Sequence, residues 1–76
     1  MYTSTIFIKD IDTARKFVNE MTKFMDTKIT LKSGDYCIDG HSIIGIISLD
    51  ISKPIEIVAD GNVSDELIEI IKQYAL

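Results

Sequence analysis

Two short segments hold the residues of this chain whose types could support chemistry. The first is Lys9-Asp10-Ile11-Asp12-Thr13, in which two carboxylates lie at the start of a helix-like pattern. The second is His41-Ser42, which joins the only histidine to a hydroxyl group. Carboxylates, imidazoles and hydroxyl groups are side chains that take part in acid–base and nucleophilic chemistry. A single cysteine, Cys37, leaves no thiolate cluster for zinc.

Each of these residues also has a structural interpretation. Asp10 or Asp12 would cap the helix that follows, because an aspartate there accepts a hydrogen bond from a free backbone amide. The helix dipole also favours a carboxylate at this position, whether Asp10 or Asp12. Capping is therefore the favoured interpretation of Asp10. His41 and Ser42 would lie at or just before a second helix, where a neutral imidazole and a serine cap are both favoured.

His41 and Ser42 stand near the start of the most apolar run in the sequence, Gly40 to Leu49. Isoleucine is β-branched and turn residues bound the run, so local propensity favours a short buried strand. Gly40 and Ser42 instead favour a helix N-terminus. A helix here would be apolar around nearly its whole circumference, and part of that surface would remain for a partner.

The rest of the chain has clear periodic patterns. Alternation predicts four strands, at Tyr2 to Ile8, Lys28 to Lys32, Tyr36 to Ile38 and Ile55 to Ala59. Three- and four-residue spacing predicts a helix over about residues 11–24, with an inward stripe of Ile11, Ala14, Phe17, Val18, Met21, Phe24 and Met25. A final helix is predicted after Ser64, with acids in its first turn. The fold class is therefore α+β, with a four-stranded antiparallel sheet, helices on one face and a solvated opposite face.

The composition predicts a single domain over residues 1–76. Twelve acidic and eight basic side chains give a net charge of −4, and the basic residues are scattered among carboxylates. A nucleic-acid-binding domain normally gathers basic residues on one face, so this pattern argues against such a partner. The sequence also has no apolar run of about 18 residues and no signal-peptide pattern at its start. We expect a cytoplasmic monomer that binds no membrane, metal or cofactor.

The order of elements and the run ending at Leu49 resemble the phosphocarrier protein HPr of the bacterial sugar phosphotransferase system. HPr proteins have lysine-serine-isoleucine-methionine-glycine-valine-methionine-serine-leucine where this chain has His41-Ser42-Ile43-Ile44-Gly45-Ile46-Ile47-Ser48-Leu49. The Asp60-Gly61 break and the final helix also agree, so the resemblance covers essentially the whole chain. It implies an HPr-like open-faced β-sandwich, β-α-β-β-α-β-α, with three helices on one face and a short helix beginning at Ser42.

The resemblance fails at the residue that performs the family's chemistry. HPr carries its phosphoryl group on a histidine at the N-cap of the first helix, within a histidine-alanine-arginine-proline motif. Counting back from Phe24 places that histidine at Asp10, the arginine at Asp12 and the proline at Thr13, and only Ala14 keeps a family residue. The resemblance therefore implies a divergent member of the family that lacks the phosphoryl acceptor and its neighbouring cation.

The resemblance also implies roles for residues of the apolar run. Ser42 corresponds to the serine that a dedicated kinase phosphorylates in HPr of many low-GC Gram-positive bacteria. Ile43, Ile44 and Ile47 occupy the positions with which HPr presents an apolar patch to its partners, although core packing is an equally good interpretation of these residues. Exposed apolar patches often mark interfaces.

Two functions from different classes follow. The first is a regulatory or protein-interaction module of the phosphotransferase system, which is not an enzyme and docks phosphotransferase-system or regulatory proteins through the isoleucines. The alternative is a phosphoryl carrier that uses Asp10 or His41 as a non-standard acceptor, or a protein regulated by phosphorylation at Ser42.

Overall fold

Four strands and three helices make up the structure, a computed structural model that describes residues 1–76. Their order is β1 (Tyr2–Ile6), α1 (Ile11–Met21), β2 (Thr27–Ser33), β3 (Tyr36–Asp39), α2 (Ile43–Ser48), β4 (Ile55–Gly61) and α3 (Asp65–Tyr74). A 3₁₀ turn, Thr22–Phe24, follows α1 directly. The expected order β-α-β-β-α-β-α is therefore confirmed. None of the helices is both long enough and apolar enough to cross a bilayer.

The strands form one sheet in the spatial order β1-β4-β2-β3, and every neighbouring pair is antiparallel. Because side chains alternate along a strand, the apolar residues share one buried face: Ile6, Ile29, Leu31, Ile55, Ile57 and Ala59. The opposite face is mostly polar and exposed, and on it Lys28 lies opposite Asp60 of the neighbouring strand. The prediction of a solvated sheet face is therefore confirmed.

The three helices share a core with the apolar side of the sheet, and they contribute unequally. Helices α1 and α3 each bury three side chains there: Ala14, Phe17 and Met21 from α1, and Leu67, Ile71 and Tyr74 from α3. Helix α2 buries only Ile46. The rings of Phe17 and Tyr74 meet edge to face with centroids 5.1 Å apart. The Tyr74 hydroxyl donates a hydrogen bond of 2.7 Å to the Glu20 carboxylate, which ties the end of α3 to α1.

The chain leaves β3 through Gly40, which is buried against β2. Its N–H donates to the carbonyl of Ile29 at 2.8 Å. A Cβ at this position would lie 2.5 Å from Cγ2 of Ile29, so any larger residue would force the β2 side chain to move. This close approach fixes the direction in which the chain reaches α2.

Two predicted elements are shorter in the structure. The first strand ends at Ile6 instead of Ile8, because Ile6 pairs with Ile55, the first residue of β4 after Pro54, and the next N–H, that of Phe7, donates to the Tyr74 carbonyl at the end of α3. Beyond it, Ile8 is still buried.

The first helix ends at Met21 instead of Phe24, and the last three residues of the prediction form the 3₁₀ turn. Ile11 and Met25, predicted to face inward, are exposed. Ile11 occupies the first position of the helix. Met25 follows the 3₁₀ turn, whose tighter winding rotates it out of line with the inward side chains of α1.

Replacing Tyr74 with phenylalanine should lower the free energy of unfolding by about 1 kcal/mol at neutral pH, because the hydrogen bond to Glu20 is lost. Burial, followed by the hydrogen bond to Glu20 and its charge, raises the pKa of Tyr74 above its ordinary value. As pH rises beyond about 10, the unfolded chain therefore ionises first and the folded state loses stability. Urea unfolding from pH 7 to 11 should show a smaller alkaline loss for Tyr74→Phe than for the wild type.

Tyr36 provides the matched control, because its hydroxyl is on an exposed side chain and forms no hydrogen bond in the structure. Tyr36→Phe should follow the wild-type profile throughout. Equal alkaline losses in the wild type and Tyr74→Phe would contradict the assignment to Tyr74.

Candidate functional site

Asp10 is the N-cap of α1. Its backbone is extended, with φ −160° and ψ 176°, and its carbonyl accepts the N–H of Ala14 as the first helical bond. Oδ1 accepts two hydrogen bonds, from the backbone N–H of Thr13 at 2.7 Å and from the Thr13 hydroxyl at 2.6 Å. The capping interpretation of Asp10 is confirmed, and Asp12 lies exposed in the first turn of the helix.

The surroundings of Asp10 favour its ionised form. The hydrogen bond from the Thr13 hydroxyl, and then that from its amide, lower the pKa of Asp10 below the ordinary value, with a smaller contribution from the charge of Lys9. Phosphorylation of a carboxylate normally requires a metal ion that neutralises charge. No three residues among the histidine, cysteine, aspartate and glutamate side chains are grouped closely enough to hold such an ion. The site provides a fixed negative charge at the end of a helix.

His41 lies between two hydrogen-bond acceptors. Its Nδ1 is 2.9 Å from Oδ1 of Asp39, which also accepts the His41 backbone N–H at 2.9 Å. Its Nε2 is 3.4 Å from the carbonyl oxygen of Phe24. The imidazole is only 11% exposed. These bonds, the backbone one first, lower the pKa of Asp39.

This arrangement makes His41 a link between segments. A neutral imidazole has a single N–H and donates to only one of the two oxygens, and the low exposure of the ring restricts the approach of any phosphoryl donor. The ring joins the end of the α1 region, at Phe24, to the end of β3, at Asp39, immediately before α2. Sequence reasoning missed Asp39. The only local signal was the spacing of Asp39 and His41 across Gly40, and the contact with Phe24 has no signal in the sequence.

Ser42 is the N-cap of α2, with extended backbone at φ −109° and ψ 114°. Its Oγ accepts the N–H of Gly45 at 3.1 Å, and its carbonyl accepts the N–H of Ile46 at 3.0 Å. The apolar run is therefore a helix, and the strand interpretation is wrong. The Ser42 hydroxyl is half-buried and its oxygen is already a hydrogen-bond acceptor.

The isoleucines of α2 divide between solvent and core. Ile44 is 77% exposed and Ile47 is 49% exposed, whereas Ile46 is fully buried. Ile43 is partly buried and packs against the core. The predicted patch of Ile43, Ile44 and Ile47 is thus centred on the last two of these residues. Helix α2 packs against α1 and β3, which leaves Ile44 and Ile47 accessible to solvent.

The comparisons with known protein families and solved structures agree on one family. A family model described as the PTS HPr component phosphorylation site matches residues 11–75, a segment that begins directly after the cap Asp10. Among solved structures, HPr-C-His from Thermoanaerobacter tengcongensis has a TM-score of 0.77 and 26% identity, covering 96% of this chain and 93% of that one. No match was found among curated protein sequences.

Two further solved structures have the same fold. The phosphocarrier protein HPr from Bacillus anthracis str. Ames has a TM-score of 0.81 at 23% identity, covering 99% of this chain and 96% of that one. The histidine-containing phosphocarrier protein from Mycoplasma has a TM-score of 0.77 at 26% identity, with coverages of 95% and 89%. The predicted fold, an open-faced sheet with three helices, is confirmed by these likenesses.

Removing the His41 ring should loosen α2 more than the rest of the fold. In His41→Ala the links to Asp39 and Phe24 are lost, while the core residues of the sheet are unchanged. Hydrogen exchange at the amides of Gly45 and Ile46 should become about fivefold faster, as expected for the loss of about one hydrogen bond from a locally opening segment.

The control is Lys53→Ala, which removes an exposed ion pair to Asp50 beyond the other end of α2. It should leave exchange at Gly45 and Ile46 unchanged. If His41→Ala also leaves these rates unchanged, the ring does not hold the helix.

Two neighbouring isoleucines should differ sharply in their contribution to stability. Ile46→Ala removes a fully buried side chain and should cost about 2–5 kcal/mol in urea unfolding. Ile44→Ala, two residues earlier in the same helix, should change stability by less than about 0.5 kcal/mol because its side chain is exposed. Similar costs at both positions would mean that Ile44 packs in the core and is not available to a partner.

Proposed function

This chain belongs to the HPr family of the phosphotransferase system, and we propose that it is a protein-interaction or regulatory module of that family which carries no phosphoryl group on a histidine. HPr-family proteins are phosphocarriers that interact with other phosphotransferase-system proteins, and they are not catalysts. The observation that carries the proposal is the carboxylate of Asp10 at the N-cap of α1, in a chain whose only histidine lies at the start of α2. We assign the family's histidine position to Asp10 and its arginine position to Asp12.

The exposed part of α2 supports a role in docking. Ile44 is mostly exposed and Ile47 about half exposed, while Ile43 packs the same helix against the core. Apolar side chains grouped on an ordered helix provide the contact area at the centre of a protein interface. The partner would be a phosphotransferase-system or regulatory protein in the cytoplasm, bound by this chain as a monomer.

The charge at α1 restricts which partners fit. A partner that binds the family's arginine would meet the carboxylate of Asp12 instead, and like charges facing each other across an interface are unfavourable. A partner that binds a phosphorylated histidine would meet the smaller charge of Asp10, which has two oxygens where a phosphate has three free ones. The proposal therefore predicts a partner set different from that of a histidine-containing HPr.

The alternative is a phosphoryl carrier with an unusual acceptor, Asp10 or His41. The carboxylate of Asp10 has one oxygen engaged by Thr13, and the ring nitrogens of His41 are directed at Asp39 and Phe24. Both arrangements disfavour attack on a phosphoryl donor. Regulation at Ser42 is a separate possibility, and it requires a kinase to gain access to a half-buried hydroxyl oxygen that caps α2.

Incubation with phosphoenolpyruvate and the first enzyme of the phosphotransferase system should leave the mass of this protein unchanged. The HPr from Bacillus anthracis, treated in the same mixture, is the positive control and should gain one phosphate. Intact-mass spectrometry at neutral pH measures both proteins together. A stoichiometric phosphate on this chain would overturn the proposal, and its loss in Asp10→Ala or in His41→Ala would identify the acceptor.

A gain-of-function variant tests the assignment of positions directly. Asp10→His combined with Asp12→Arg should become phosphorylated in the same mixture, whereas Asp12→Arg alone should not. The serine is tested with ATP and the HPr serine kinase: phosphate on the wild type but not on Ser42→Ala would establish regulation at that residue.

A further inference from the structure

The ring of His41 lies where its protonated form makes one more hydrogen bond than its neutral form. Nδ1 is 2.9 Å from a carboxylate oxygen of Asp39, and Nε2 is 3.4 Å from the carbonyl oxygen of Phe24. Neither oxygen can donate a hydrogen bond, since one belongs to an ionised carboxylate and the other to the backbone. A neutral imidazole has one N–H for these two acceptors, whereas an imidazolium has two and satisfies both.

The ionisable groups that face His41 include more acids than bases. The ring borders a depression of about 630 Å³ whose walls come from the turn after α1, from β2 and from β3. The ionisable side chains of these walls are two carboxylates, one ammonium group and one thiol: Asp26, Asp39, Lys28 and Cys37. Of these, Asp39 forms an ion pair with the ring. Its negative charge favours the imidazolium and offsets the loss of water around a ring that is only 11% exposed.

The Asp39 carboxylate is charged whenever the ring changes its charge. The hydrogen bonds from His41, the backbone one first, lower the pKa of Asp39 below its ordinary value. An imidazole ordinarily titrates between about pH 5 and 8, well above the range of a carboxylate. The partner on β3 therefore stays constant while the number of N–H groups on the ring varies.

The two contacts of the ring connect the segments from which α2 starts. Phe24 is the last residue of the 3₁₀ turn after α1, and Asp39 is the last residue of β3. Ser42, the residue after the histidine, caps α2 and accepts the N–H groups of Gly45 and Ile46. A change in the hydrogen bonds of the ring therefore acts next to the first turn of the helix.

We propose that His41 is a protonation switch for α2: the imidazolium holds the start of the helix to both Asp39 and Phe24, and loss of the proton releases one of these links. The closed junction offers the second ring proton an acceptor that an opened junction lacks, so the closed junction binds the proton more tightly. By linkage, the closed junction is then favoured at lower pH and loses stability as pH rises through the titration of the ring. The switch concerns the folding of α2 and needs no partner protein, so its test is independent of the proposed docking function.

Amide hydrogen exchange of the full-length protein tests the switch. Protection factors, which correct for the pH dependence of exchange in an unfolded chain, are measured for Gly45 and Ile46 at about pH 5.5 and about pH 8. They should be about fivefold lower at the higher pH, as expected for the loss of one hydrogen bond from a locally opening segment. His41 is the only histidine of the chain, so the ¹⁵N signals of its ring report its protonation directly.

The matched control is His41→Gln, whose side-chain amide forms hydrogen bonds but does not titrate. Its protection factors at Gly45 and Ile46 should be the same at both pH values. In the wild type, the pH profile of these protection factors should have the same midpoint as that of the ring ¹⁵N shifts. The proposal is overturned if the wild-type protection factors do not change with pH, if His41→Gln shows the same change, or if the two wild-type profiles have different midpoints.

Discussion

One apolar sheet face holds this molecule together, and the helices differ in how much they depend on it. Helices α1 and α3 each bury three side chains against it, whereas α2 buries only Ile46. A helix of six residues with one fully buried side chain and one, Ile43, partly packed against the core gains less from hydrophobic burial than α1 or α3. The junction before it adds further contacts, through the close approach of Gly40, the contacts of His41 and the cap at Ser42.

Because α2 buries fewer side chains than α1 and α3, it can present apolar side chains to solvent. Ile44 and Ile47 lie on the part of the helix surface that its packing leaves accessible to solvent. The same reasoning predicts that α2 has lower local stability than the sheet, since its position depends on a few hydrogen bonds near the surface. On the proposed docking function, α2 adjusts to a partner with little disturbance of the core, because its exposed residues contribute little to core packing.

The sequence predicted the elements well because periodicity and caps are local properties. Alternation located all four strands, and Ser42 with Gly40 correctly argued for a helix against the β-propensity of the isoleucines. Which isoleucines face solvent could not be predicted, because a helix that is apolar on all sides has no polar face to mark its solvent side. The link from His41 to Phe24 was missed for a similar reason: residues 17 positions apart are brought together only by the packing of α1 against α2.

The residue at the N-cap of α1 must provide a hydrogen-bond acceptor for the helix, whatever other role it has. Free amides at the start of a helix need an acceptor, and the Asp10 carboxylate accepts the N–H of Thr13. The hydrogen bonds from the Thr13 hydroxyl and amide also lower the pKa of Asp10. A phosphoryl carrier must alternate between two charge states at this position, because the transferred group is what its partners distinguish. On the proposed correspondence, Asp10 keeps the capping role and fixes the charge in one state. A surface with a constant charge can support recognition, but it cannot report whether a phosphoryl group has been passed on.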